Sequence, residues 1–153
     1  MMPNIDIRLN IVPPTATAQQ KGVFVRNGRA QFFVKAKVRE AENFLAALLR
    51  PIAPLAPFTG AVELRATWCF PYRKSEPKWR TAGGAYLPHT TRPDLDNLEK
   101  GLLDTMTRLR FWLDDSQVAQ KKTNKAWGES PFLEIHVREI AAKGVQVAPH
   151  AGA

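Results

Sequence analysis

The sequence predicts a single α/β (α+β) domain, a mixed sheet of about five or six strands with two main helices. Three observations predict it. Strand-like alternation recurs near both ends and in the middle of the chain, and two segments carry apolar residues at helical spacing. A chain of 153 residues that is 44% hydrophobic also has enough apolar material for one core without covalent staples. The domain is expected over residues 1–140, with 141–153 a flexible tail that has little to bury. No internal repeat and no second domain stand out.

Taken in order, Ile5, Ile7, Leu9 and Ile11 alternate with Asp6, Arg8 and Asn10, the pattern of a half-buried strand. Val23-Phe24-Val25 and Phe32-Phe33-Val34 then flank Asn27-Gly28, the pair best suited to a tight hairpin turn. From Lys35 to Arg50, Val38, Ala41, Leu45, Leu48 and Leu49 share one side of a helix that Pro51 stops. A proline-rich link, IAPLAPF, follows it. The next strand turns Val62, Leu64, Ala66, Trp68 and Phe70 one way and Glu63, Arg65, Thr67 and Cys69 the other. Residues 71–92 are too irregular for a long element. A second helix begins near Asp94, with Leu95, Leu98, Leu102, Met106 and Leu109 as its buried stripe. Phe111-Trp112-Leu113 reads as a buried connection, the stretch from Gln117 to Trp127 as a strand, and Leu133, Ile135 and Val137 as the inward side of a last strand whose His136 faces solvent.

Charge narrows the partner. The net charge is +8 and the pI about 10.0, which points to a polyanion such as nucleic acid. Cys69 is the one cysteine, so no intrachain disulfide is possible; with no base beside it in sequence, it reads as structural. The N-terminus lacks a basic stretch followed by an apolar run, and no segment is long enough to cross a bilayer, so a cytoplasmic protein without a membrane partner is expected. In the irregular stretch Arg73, Lys74, Lys78, Arg80 and Arg92 face Glu76 alone, with Tyr72, Trp79 and Tyr86 among them. Such a loop reads either as a DNA-contacting flap or as a surface loop whose rings pack back on the body. Lys121 and Lys125 share a strand face with Thr123 and Trp127 and form a second basic strip. His89 reads as a hydrogen-bonded loop histidine, and no Cys/His cluster suggests zinc.

The chemistry concentrates between Arg92 and Gln117, RPDLDNLEKGLLDTMTRLRFWLDDSQ. Asp94 and Asp96 stand where the second helix starts, Lys100 is one turn beyond Asp96, and Asp114-Asp115 follow after the helix has ended. Three aspartates from two segments beside a lysine fit a magnesium ion held against a scissile phosphate. The same residues also fit helix caps, a turn and a solvated ion pair, so spacing alone leaves both readings open. A restriction-enzyme-like core would want an acid-x-Lys triplet after Asp94, and none is present; Glu76-Pro77-Lys78 lies upstream.

The run P-D-L-D-N-L-x-K followed by D-D-S-Q closely resembles the signature of the RusA family of Holliday-junction resolvases. The likeness is strongest from Thr91 to Gln117. It implies a RusA-like fold and a structure-selective endonuclease that cuts four-way DNA junctions by magnesium-dependent phosphodiester hydrolysis in recombination and repair, with manganese as a substitute ion. It further implies catalytic residues Asp94, Asp96, Lys100 and Asp115, of which the three aspartates hold the metal, and a homodimer encoded by a bacterium or phage. Asn97 and Asp114 are candidate supports behind that site. Arg73, Lys74, Lys78, Arg80, Arg92, Lys121 and Lys125 are the candidate DNA contacts. The alternatives are a non-catalytic basic DNA-binding module, in which the aspartates are caps, and a nuclease for other branched nucleic acids.

Overall fold

The computed structural model describes residues 4–17 and 21–142, with the side chains of residues 21, 22 and 32–34 left aside. The described residues form seven strands: β1 (Asn4–Leu9), β2 (Lys21–Arg26), β3 (Arg29–Val34), β4 (Val62–Pro71), β5 (Leu87–Pro88), β6 (Val118–Gly128) and β7 (Phe132–Glu139). The main helices are α1 (Ala36–Leu49) and α3 (Leu95–Arg108), and a single turn, α2 (Lys78–Thr81), lies between them. The main sheet has five strands in the order β1-β7-β4-β6-β5, and β2-β3 form a separate hairpin. Asn27 and Gly28 both take positive φ, 53° and 70°, as a tight right-twisted hairpin turn requires. The expected tail lies, from residue 143 onward, outside the described residues.

The parallel pair β4-β6 decides the architecture. Parallel neighbours cannot be joined by a tight turn, so the chain must cross the sheet face between them, and α3 is that crossover. Its apolar stripe falls as the spacing predicts: Leu98, Leu102 and Met106 are buried against Leu64, Trp68 and Leu133 in one core that also takes Leu49 of α1. Phe111 and Trp112 are fully buried just after α3, and Phe58 bonds back to Phe111 through N–H to O at 2.8 Å.

The outer face of the sheet carries burial that alternation leaves open. Glu63 and Cys69 point away from the helices, as alternation requires, yet both are buried, at 6% and 0% exposed. Cys69 is covered where Gly128 passes its sulfur, and a Cβ on Gly128 would stand 2.6 Å from Sγ. Glu63 is covered by Arg65 and Arg138, which both donate to its carboxylate. Burial pushes that carboxyl's pKa up, but the two guanidinium hydrogen bonds and charges outweigh it and hold it below the ordinary 4.5. Because the folded pKa is depressed, the ionised pair stabilises the fold above about 4.5, and this contribution is lost as pH falls through the lowered value. Glu63→Gln should therefore lower the melting temperature at neutral pH while flattening its decline in acid. Parallel melting curves for the two proteins would refute that linkage.

Candidate active site

Strand β6 is the spine of the candidate site. Its odd residues turn toward α3, as the alternation predicts for Lys121, Thr123, Lys125 and Trp127. Lys121 pairs with Glu99 at 2.5 Å, and the Thr123 hydroxyl donates to the same carboxylate. The Lys125 ammonium donates to the carbonyl oxygens of Thr91 and Pro93 at 2.5 and 2.7 Å, which fixes the backbone leading into Asp94. Trp127 is 3% exposed and carries the Arg73 guanidinium 4.0 Å above its ring centre. Lys121 and Lys125 are thus bound to the protein itself, Lys121 by an ion pair and Lys125 by two carbonyls. Lys121 nonetheless remains on the wall of an open groove.

Asp115 reaches the site on a short 3₁₀ turn, Asp115–Gln117, built by its neighbours. Asp114 caps the turn, accepting from the Ser116 N–H at 2.8 Å, and the Ser116 side chain together with this backbone hydrogen bond holds its carboxyl below the usual carboxylate range. Gln117 closes the capping box and does more. Its Oε1 accepts from the N–H groups of Leu113 and Asp114 at 2.8 and 3.1 Å, while its Nε2 donates to the carbonyls of Phe58 and Gly60, both at 2.9 Å. One side chain thereby satisfies four backbone groups and pins the acidic turn to the segment that enters β4. Sequence reading assigned Gln117 no role, although an acid followed three residues later by glutamine is a capping-box signal.

Asp96, Lys100 and Asp115 line one open groove of about 310 Å³ together with Asn97, Glu99, Leu103, Asp104 and Lys121. Asp94 stands at the α3 N-cap with extended backbone, makes no side-chain capping bond, and lies outside that lining. Direction explains the difference. α3 runs antiparallel to β6, so its start is tied to Lys125 while Asp115 arrives just before Val118, and the acidic turn meets the flank of the helix rather than its tip. Lys100 lies 3.6 Å from Asp104, an exposed pair that contributes little to stability. Glu99, which sequence reading passed over, is the best shielded acid of the groove, its side chain 13% exposed under Lys121.

The donor chemistry suits a hard cation. Among the described residues no three acidic, histidine or cysteine side chains are gathered to hold an ion by themselves. Magnesium ordinarily takes one or two carboxylates and completes its shell with water and substrate phosphate oxygens. Asp96 and Asp115, exposed and facing one groove with Asp104 beside them, fit that habit.

The irregular stretch is more ordered than its composition predicts, with α2, a 3₁₀ turn at Ala82–Gly84 and β5 inside it. Glu76, its side chain 2% exposed, holds Arg73 at 2.9 Å and Arg80 at 2.7 Å, so two of the candidate DNA contacts share one internal carboxylate. Lys74, Lys78 and Arg92 are exposed and form no ion pair among the described residues. His89 is buried between Phe70 and Trp127, with ring centroids 4.9 and 4.5 Å away. Its backbone N–H donates to the Lys125 carbonyl at 3.3 Å and backbone hydrogen bonding at Thr91 acts on its ring, while its Nδ1 has no hydrogen-bond partner. Burial and the nearby Lys125 charge push its pKa down.

Known proteins share this arrangement of sequence. The family model for endodeoxyribonuclease RusA matches residues 12–138. A crossover junction endodeoxyribonuclease of Lactococcus phage r1t is 36% identical over 126 residues, covering 81% of this chain and 89% of the phage protein. Protein YqaN of Bacillus subtilis (strain 168), uncharacterised, is 32% identical over 133 residues, or 84% of this chain and 92% of its own length. The crossover junction endodeoxyribonuclease of Escherichia coli (strain K12) is 45% identical over 40 residues, 26% of this chain and 33% of that protein. With the match spanning nearly the whole sheet and both main helices, the chain belongs to the RusA endodeoxyribonuclease family.

Proposed function

We propose that this chain is a Holliday-junction resolvase that nicks opposing strands of a four-way DNA junction with magnesium, or manganese in its place, as a homodimer in a bacterial or phage-infected cytoplasm. The observation that carries the reading is the shared groove: Asp96 and Lys100 from α3 and Asp115 from the turn before β6 face one open space in a strongly basic chain. Asp94, Asp96 and Asp115 supply the carboxylates. When bound, the ion polarises the scissile phosphate and lowers the pKa of water. Lys100 offsets charge growing on the phosphate oxygens, and Asp114 and Asn97 hold the acidic turn and the helix start in place. Lys74, Lys78 and Arg92 contact the DNA backbone, so junction affinity falls steeply with added salt. A dimer matches the two nicks that resolution needs.

The deciding experiment is cleavage of a labelled four-way junction beside a matched linear duplex, with magnesium and with EDTA, for the native chain and Lys100→Ala. Symmetric nicks confined to the junction, dependent on magnesium and lowered at least about a hundred-fold in the variant, are expected. Tight junction binding with no cut by the native chain would instead identify a binding module whose aspartates serve as caps, a role Asp114 demonstrably fills.

Gln117 offers a graded test of the same site. Gln117→Ala should raise the magnesium concentration for half-maximal nicking by roughly 10- to 100-fold, the usual cost of removing a group that orients a ligand. Gln117→Glu keeps acceptors for Leu113 and Asp114 but loses the donors to Phe58 and Gly60, and should fall between. An unchanged magnesium requirement in Gln117→Ala would show that the turn is held without it.

A further inference from the structure

The chain has four tryptophans, and three of them, Trp68, Trp112 and Trp127, are at most 3% exposed. Trp79 is 78% exposed. Single exposed aromatics are common, so exposure alone decides nothing. What sets Trp79 apart is the scaffold that holds it out. The stretch around it is fastened at three points: Glu76 grips Arg73 and Arg80, Arg73 lies flat on the buried Trp127, and the Tyr72 hydroxyl donates to the Ala85 carbonyl at 2.5 Å. Arg80 turns inward to Glu76, which leaves its neighbours Lys78 and Trp79 outward on α2. Tyr86, 62% exposed, meets Phe132 edge to face and flanks the same projection. The flap is therefore a fixed platform bearing an apolar ring among unpaired cations.

Resting on the resolvase reading, we infer that Trp79 is the branch-sensing residue of this protein, stacking on a base that the four-way junction leaves unpaired or exposed. Charge selects the partner. Lys74 and Lys78 beside the ring suit a phosphate backbone whose bases lie open, since an aromatic face takes any exposed base and a paired, fully stacked duplex offers none. Position supports it. The flap rests on Trp127 and the groove is bounded by Lys121, six residues away on the same face of β6, or about 20 Å. A junction seated in the groove meets the flap at its side.

The test is binding in EDTA, where nothing is cut, of the full chain to a four-way junction and to a linear duplex of the same sequence at one salt concentration. Trp79 supplies the solvent-exposed part of the tryptophan emission, so junction binding should quench that part and duplex binding should not. Trp79→Ala should weaken junction binding by about ten- to hundred-fold, with duplex binding within about two-fold of native, and Trp79→Phe should recover most of the loss. Equal junction affinity in Trp79→Ala, or equal weakening toward both DNAs, overturns the inference. The quench reads the native protein and stands even if a variant fails to fold. If the native chain nicks the junction with magnesium while Trp79→Ala binds and nicks as well, this inference alone fails. If the native chain neither prefers nor nicks the junction, the resolvase reading falls and takes the inference with it.

Discussion

Asp115→Asn is expected to lower junction nicking at least about a thousand-fold and to leave junction affinity within a few-fold of native. The first half follows from charge. Asparagine keeps the size of the side chain but removes one of the four carboxylates that line the groove, the one brought by the acidic turn, and an ion's contribution to phosphate hydrolysis is several kcal/mol of transition-state stabilisation. The second half follows from where Asp115 stands. Its carboxylate is exposed and makes no bond that the turn needs; Asp114 and Gln117 hold that turn. Binding depends on cations elsewhere, and removing a negative charge from a DNA-facing groove should if anything tighten it. Asp96→Asn should behave alike. Asp94→Asn tests the reach of the site, because Asp94 belongs to the family signature yet lies beside the groove; a comparable loss would show that the helix tip works with the flank. Native rates in Asp115→Asn would remove the groove from the chemistry.

Trp112→Ala is expected to cost about 3–5 kcal/mol of stability, roughly ten degrees or more in melting temperature. Trp112 is fully buried, donates through Nε1 to the Thr107 hydroxyl at 2.7 Å, and pairs with Phe58 in an isolated bridge. It therefore joins the end of α3 to the segment that enters β4. Truncation leaves a cavity and takes away the N–H that the Thr107 oxygen accepts, while that hydroxyl still donates to the Leu103 carbonyl. Trp112→Phe, which fills most of the space and loses only the N–H, should cost about 1–2 kcal/mol. A melting temperature within a degree or two of native for Trp112→Ala would mean that the connection carries no load. Thermal melts answer this without reference to activity.

Much of this arrangement was legible in the residues. Alternation placed β1, β4, β6 and β7, Asn27-Gly28 placed the hairpin, and the stripe from Leu98 to Met106 placed α3, because each of these signals is local and repeats with the geometry of the backbone. The misses were all of one kind. The burial of Glu63 on the outer face of β4 had no signal, since a strand cannot reveal that arginines on the same and the neighbouring strand will close over it. Arg73 and Arg80 looked available to DNA until Glu76 was found buried between them. Glu99 drew no attention because its partners lie more than twenty residues away on β6.

By itself, then, the sequence determined the fold class, the main strands and helices, the basic character and the residues of the acidic signature, all of which rest on local periodicity or on residue identity. The tertiary structure decided which of those residues meet. It turned α3 antiparallel to β6, set Asp115 against the flank that bears Asp96 and Lys100, left Asp94 at the tip, and used several cations for internal pairing. The reason is physical: convergence depends on the direction in which a buried helix crosses its sheet and on long-range pairing of charges, and neither is written in the spacing of any one segment.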